Sequence, residues 1–208
     1  VVDQLSQSVV NNLDSRSIAP TIAFNPTESA TYNSSTSTTV YDSLGEPHVL
    51  QLFFVKSDPA VPGNENQWSV HSTLDGKSFG ANGVEQTVAP YTPMTTFKFD
   101  SSGLPQSTDG TPNVSNTFNP LSIAAGGGGT AGLSDLLTNG ATFPAPVEIN
   151  WRDETGTANK IPTQYASRFE VKALEQDGAT VGRLAGIDIG ADGKVVASYS
   201  NGDSTFLG

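Results

Sequence analysis

Short apolar runs recur along the 208-residue chain, and almost every one is bounded by Gly, Pro, Asn, Asp or Ser. Their spacing follows the two-residue period of half-buried strands rather than the 3.6-residue period of helices. Trp68-Ser69-Val70-His71-Ser72-Thr73-Leu74 alternates most cleanly, with Trp68, Val70, Ser72 and Leu74 on the inner face and Asp75-Gly76 as the closing turn. Before it, Val40-Tyr41 enters a hairpin whose turn is Asp42-Ser43-Leu44-Gly45. Its return strand, His48 to Val55, ends in the block Leu52-Phe53-Phe54-Val55, which suits a strand covered on both faces. Thr95-Thr96-Phe97-Lys98-Phe99, Val147-Glu148-Ile149-Asn150-Trp151 and Arg168-Phe169-Glu170-Val171-Lys172-Ala173-Leu174 read as further strands, the last with Phe169 and Val171 inward. A final hairpin runs from Gly182 to Gly202, turning at Asp192-Gly193.

Between these strands the order weakens. Pro105 to Thr130, with the run Gly126-Gly127-Gly128-Gly129, reads as a long mobile loop. Leu133-Ser134-Asp135-Leu136-Leu137 offers one helical turn. The stretch up to Asn33, with Ile18, Ile22 and Phe24 set among prolines, should be extended and edge-like. The expected fold is therefore all-β, an antiparallel β-barrel or sandwich-like domain with long loops and at most one short helix. A soft boundary falls near Gly178 to Gly182. It divides the chain into a domain over 1–180, carrying a variable Gly/Pro/Ser-rich insert at about 105–146, and a terminal hairpin over 181–208.

Composition narrows the function more than it defines it. The chain holds 21 acidic and 10 basic residues, a formal net charge of −11. No Lys/Arg cluster exists to displace phosphate counterions or meet an anionic lipid surface, so neither nucleic acid nor membrane is an expected partner. The excess charge favours solubility through repulsion between free copies. Without cysteine there is no disulfide, thiolate metal site or thiol nucleophile. No apolar run approaches the length of a membrane span. Val1-Val2-Asp3-Gln4 carries neither an initiator Met nor a signal pattern, so the chain is expected to be an excised piece with its export information elsewhere.

Candidate chemistry does not hold together at the level of sequence. Gly76-Lys77-Ser78 has the end of a phosphate-binding loop but neither its upstream Gly nor its following helix. The glycine run lacks a helix N-terminus that could meet an anion. Asp188-Ile189-Gly190-Ala191-Asp192-Gly193 has two carboxylates where a calcium loop needs more, and Tyr199 stands where its bidentate Glu belongs. His48 and His71 are the two possible neutral-pH bases, and each sits inside a strand without a nucleophile elbow or a metal-spaced partner. Asp153-Glu154 resembles a glycosidase pair in residue type, but adjacent strand positions face opposite ways. Asn33-Ser34-Ser35 and Asn113-Val114-Ser115 fit the glycosylation sequon. Trp68, Trp151, Phe53, Phe54, Phe97, Phe99 and Phe169 are core-spaced aromatics before they are a sugar platform. No catalytic, cofactor or metal residue is assigned.

Two stretches carry a resemblance. Thr39-Val40-Tyr41-Asp42-Ser43-Leu44-Gly45-Glu46-Pro47-His48, continuing to Phe53-Phe54-Val55-Lys56, resembles the signature hairpin of the bacterial flagellar hook protein family. Val195-Val196-Ala197-Ser198-Tyr199-Ser200-Asn201-Gly202 is similar to the family's tail. Asn12-Leu13-Asp14-Ser15, Phe24-Asn25-Pro26, Asn66-Gln67-Trp68, Gln164-Tyr165-Ala166-Ser167-Arg168-Phe169 and Gly182-Arg183-Leu184 fit in the same order, while about 76–146 lies outside the likeness. The resemblance implies the surface-exposed outer domain (D2-like) of a structural, non-enzymatic hook subunit, with the last 25 or so residues returning toward the inner (D1-like) domain. It implies an extracellular place on the flagellum, reached without a cleaved signal peptide. The implied partners are other copies of the chain and the cap, rod and junction proteins, and an isolated piece without the polymerising ends is expected to be monomeric. Other axial rod proteins remain the near alternative. A secreted carbohydrate-binding or adhesin-like domain, or a hydrolase using His48 or His71, is the distant one.

Overall fold

Ten consecutive residues, Pro47–Lys56, form the central strand of the molecule, here designated β3. The computed structural model describes residues 12–106, 121–149, 151, 162–171, 184–190, 193–199 and 204–207. Chain order gives β1 (Asn12–Asp14), a single 3-10 turn (Ser29–Thr31), β2 (Ser34–Tyr41), β3, β4 (Gln67–Leu74), β5 (Lys77–Phe79), β6 (Thr95–Phe99) and β7 (Pro105–Gln106). There follow β8 (Leu121–Ile123), a second 3-10 turn (Leu133–Leu136), β9 (Val147–Ile149), β10 (Thr163–Tyr165), β11 (Leu184–Ile189), β12 (Val195–Tyr199) and β13 (Ser204–Phe206). The fold is all-β, as the strand period predicts, and both 3-10 turns are single turns.

The main sheet is antiparallel in the order β2-β3-β4-β6-β7, with β5 pairing the far half of β4. β4 shares one edge between two neighbours: Ser72 to Leu74 meet β5, and Gln67 to Val70 meet β6. Register places Leu50 opposite Leu74 and Phe54 opposite Val70, so one face collects Leu50, Leu52, Phe54, Trp68, Val70 and Leu74. Each of these is at most 3% exposed. Trp68 in turn stands opposite Phe97.

What covers that face corrects an expectation. Within the mobile loop anticipated from Pro105 to Thr130, Pro105–Gln106 is β7 and Leu121–Ile123 is β8, which pairs with β9. The residues from there to Trp151 send Ile123, Leu133, Leu136, Phe143, Val147, Ile149 and Trp151 into the same core. The glycine run is a tight turn: Gly127 N–H donates to Thr130 O at 2.8 Å and Thr130 N–H returns to Gly127 O at 3.1 Å. Gly126, at φ 72°, lies so close to Gly132 that a Cβ there would sit 2.6 Å from the Gly132 Cα. The glycines provide close backbone approach, not mobility. Residues 107–120 lie outside those described.

Two smaller corrections concern the flanks. The stretch before Asn33 is edge-like only at β1; beyond it the chain forms no strand up to Asn33 and buries Phe24 against Phe53 and His71 on the opposite face of the main sheet, while Ile18 and Ile22 stay exposed. Arg168 to Val171 makes one bridge, Asn12 to Glu170, instead of a ladder, although Phe169 does turn inward and packs on Phe54 at 5.5 Å. Residues 172–174 of that expected strand lie outside the described set. The final hairpin is present and gains a third strand, giving the sheet β11-β12-β13.

Ile123 measures the correction directly. It is fully buried, so Ile123→Ala should cost about 2–5 kcal/mol through lost burial and a residual cavity. Urea unfolding followed by tryptophan fluorescence reads this, and a cost near zero would return residues 121–149 to the status of a surface loop.

Candidate functional site

Among the described residues, a cluster of interacting titratable groups lies at one end of the main sheet, where two turns meet. Asp42 opens the β2–β3 turn, and its Oδ1 accepts the backbone N–H of Leu44 (2.8 Å) and Glu46 (2.9 Å). An Asx turn of this kind is the reason Asp stands first in the turn. Asp75, at φ 49°, occupies the β4–β5 turn, and its Oδ1 accepts Val49 N–H at 2.8 Å. His48 spans the two. Its Nδ1 lies 2.6 Å from Asp75 Oδ2 and its Nε2 lies 3.2 Å from Asp42 Oδ2. From the β8–β9 connection, Asn139 Nδ2 reaches Asp42 Oδ2 (2.6 Å) and Glu46 Oε2 (2.5 Å).

Burial by itself would lower the His48 imidazole, but hydrogen bonds and charge from Asp75 and Asp42 outweigh it and hold it above its ordinary value. Asp42 shows the converse balance. Burial works to raise its carboxyl, while Asn139, the Glu46 N–H, His48 and the Leu44 N–H together keep it low. The imidazolium can then donate from both nitrogens, one to each carboxylate. Both nitrogens of His48 and both oxygens of Asp42 and of Asp75 are engaged in holding the turns, so the cluster is a joint between them. Among the described residues no group of three His, Cys, Asp or Glu side chains is placed to hold a metal ion.

His71 stands apart from this cluster, on the opposite face of the sheet. It pairs with Phe53 across β3 and β4 and stacks on Phe24, with ring centroids 4.1 Å apart at 20°. Phe53, Tyr32 and Tyr91 complete the group, Tyr32 meeting Phe53 edge-on at 4.9 Å and Tyr91 meeting Phe24 at 6.1 Å. His71 Nδ1 and Thr73 Oγ1 are buried without a hydrogen-bond partner. Burial lowers the His71 imidazole to about 4, so it is neutral at pH 7. The two histidines therefore lie on separate faces in separate environments and form no common site.

The remaining candidates separate in the same way. Lys77 donates its ammonium to the Leu136 carbonyl at 2.6 Å, which fixes the second 3-10 turn and removes the phosphate-loop reading. Lys56 likewise donates to Ser15 O (2.6 Å) above the Trp68 ring, and Lys98 to Gly63 O (3.1 Å). Asn33 is engaged on both sides of its amide, donating to Ile18 O and accepting Lys56 N–H, each at 2.7 Å, so its sequon is built into a structural joint. Trp68 and Trp151 are 1% and 2% exposed, and Phe53, Phe54, Phe97 and Phe99 are buried as well. These aromatics offer no stacking platform. Asp153-Glu154, Asn113-Val114-Ser115 and Asp192 lie outside the described residues.

Sequence reasoning missed Asp75, Asn139 and Asn12 as partners. His48 and Asp75 are 27 positions apart and are brought together by the sheet register, while Asn139, 97 positions from Asp42, arrives on the β8–β9 connection. The one available signal was the turn itself, since Asp at a turn is a ready acceptor.

Fold and sites together define an all-β domain in which polar side chains among the described residues hold turns and loops in place. The comparisons make the class specific. Residues 12–179 match the flagellar basal body protein FlaE D2 domain, and the chain belongs to that family. The flagellar hook protein FlgE of Salmonella typhimurium is 31% identical over 201 residues, covering 95% of this chain and 39% of that protein. FlgE of Treponema pallidum is 31% identical over 204 residues, covering 95% and 42%. The chain thus spans about two fifths of these relatives. Among solved structures, the Helicobacter pylori hook protein FlgE2 aligns over 84% of this chain and 31% of its own at 18% identity, with a TM-score of 0.37. A 32 kDa fragment of the Caulobacter crescentus hook protein aligns over 70% and 46% at 16% identity, also with a TM-score of 0.37.

The two histidines give opposite pH dependences. His48 is raised in the fold, so its stabilisation is complete below the unfolded value near 6.5 and is lost as pH rises through the folded value. The Tm gap between wild type and His48→Gln should therefore be wider at pH 6 than at pH 9, and an unchanging gap would refute the bridging role. His71 is lowered to about 4, so stability falls as pH drops from about 6.5 toward 4. At about 1.4 kcal/mol per pKa unit, His71→Phe should gain up to ~3 kcal/mol on wild type between pH 7 and pH 4. Paired urea titrations at the two pH values would show no differential gain if His71 were hydrated.

Proposed function

We propose that this chain is the outer domain of a flagellar hook subunit, a structural part of a short curved tube that passes torque from rod to filament. The observation that carries the proposal is the match of residues 12–179 to the D2 family together with 31% identity to hook proteins across nearly the whole chain. Physical chemistry supports it. Subunits of a bent, rotating tube must change spacing at every revolution, and a large apolar contact between outer domains would lock one geometry. The large aromatics of the main sheet are spent inside the core, so they are not available to build such a contact.

The same reading accounts for β11-β12-β13. That sheet leaves Leu184, Ile187, Ile189 and Phe206 more than half exposed, beyond where the family match ends. We assign 1–180 to the outer domain and 181–208 to a β element that returns toward an inner domain, whose surface would cover those side chains. The partners are then further copies of the same subunit and the neighbouring axial proteins, with the protein outside the cell on the flagellum, exported without a cleaved signal peptide. The isolated chain is expected to stay monomeric, since a net charge of −11 opposes association. No catalytic step enters this reading.

Electron microscopy of the full-length protein tests it. Curved tubes are expected from the intact subunit and none from residues 1–208 alone. Straight rods would instead favour another axial protein, and specific glycan binding on an array without any polymer would favour the adhesin-like alternative.

A further inference from the structure

The place where the chain enters and leaves its main domain is built as a staple, and one side chain closes it. β1 runs parallel to β10, with Asn12 beside Thr163 and Asp14 beside Tyr165. The chain then turns back, so that Asn12 and Glu170 also form an antiparallel bridge, N–H to O at 3.3 and 3.2 Å. Asn12 is 6% exposed and Leu13 fully buried. The Asn12 amide spends both of its ends on the leaving segment. Nδ2 donates to Ser167 O (3.0 Å), Ser167 Oγ (2.8 Å) and Arg168 O (3.2 Å). Oδ1 accepts Tyr165 N–H (2.8 Å) and the Thr163 hydroxyl (3.3 Å). One residue further in, Gln164 joins this neck to the core: its Oε1 accepts Trp68 Nε1–H at 2.7 Å and its Nε2 donates to Asn66 Oδ1 at 2.9 Å.

From this geometry we infer that Asn12 is a mechanical staple, which takes up tension between the entering and leaving strands before it reaches the main sheet. Residues 12 and 170 are adjacent and antiparallel, so force applied just outside them, on the entering side of Asn12 and the leaving side of Glu170, loads that pair first and unzips it one bond at a time. Backbone bonds alone would yield in sequence, whereas the Asn12 side chain adds its contacts at the single position where the load arrives. The staple belongs to the domain itself, while its use under rotation rests on the hook reading above. Failure of the staple would leave that reading intact, because tube formation is scored separately.

The test is to pull the 208-residue chain in an optical trap through handles attached at positions 11 and 171, which keeps β11-β12-β13 out of the load path, and, in parallel, to follow amide exchange. In Asn12→Ala the first opening should occur at lower force, with the later rupture of the main sheet unchanged. Exchange of the Tyr165 and Glu170 amides should accelerate at least tenfold while those of Phe54 and Val70 keep wild-type protection. Thr163→Val, which removes one bond of the set, should shift the same two readouts in the same direction and keeps the test valid if Asn12→Ala does not fold. An unaltered first opening force, or a uniform acceleration of exchange across the whole chain, would overturn the inference.

Discussion

Everything in the main domain answers to one constraint: β3 is apolar on both faces and must be covered twice. Leu50, Leu52 and Phe54 face one way, Phe53 the other, and neither set can be left in water without forfeiting about 1.5–3 kcal/mol for each large side chain. Covering the first face takes β8, β9 and the second 3-10 turn. The second face is covered by the stretch that carries Phe24 and Tyr32, and by Tyr91. A Ser/Thr-rich neighbour such as β2 suffices beside β3 because it contributes backbone ladder and little core, Val40 being its one buried side chain. The irregular segments are therefore consequences of the strand, and their conformations follow from which face they must close.

Closing two faces with long connections raises a second problem, since irregular segments have backbone polar groups to satisfy. This chain solves it with side chains that reach across the fold. In a sequence with about twice as many acids as bases, Lys56, Lys98 and Lys77 terminate on the carbonyls of Ser15, Gly63 and Leu136. Asp42, His48, Asp75 and Asn139 fasten two turns and a loop at one end of the sheet. Each such joint contributes only modestly on its own, but it fixes a loop whose apolar residues are already in the core. Packing and hydrogen bonding thus select the same conformation.

Strand period made the sheet legible in advance. Alternation around Trp68 and the block at Phe53-Phe54 carry their own geometry, so β3, β4 and β6 could be placed from neighbouring residues. The glycine run could not, because composition does not distinguish a mobile loop from a turn where two backbones touch. That difference rests on Gly126 meeting Gly132, a contact set by tertiary packing. Nor was it visible that Phe24 would cap His71, since an extended Pro-bearing stretch has no period to reveal its inward face. The joints were the least legible. Asp42 was recognisable as a turn former, but its bond to His48 depends on register, and its bond to Asn139 on the path of a segment without strand pattern.

These features bear on why the cluster around His48 is better understood as a fastening than as a vestigial active site. A general base needs a free lone pair aimed at a substrate position. Here both ring nitrogens are turned to carboxylates that are themselves anchored in turns, and the neighbouring Asn139 donates to the same Asp42 Oδ2 that faces His48 Nε2. An enzyme would hold such groups ready and partly unsatisfied. Here Asp42, His48, Asp75 and Asn139 spend their donors and acceptors on one another and on the backbone of the turns, which fixes where two turns and a loop meet. The sequence pattern from Asp42 to His48 then follows from mechanics: the Asp shapes the turn, and the His, six residues on, ties that turn to the next one.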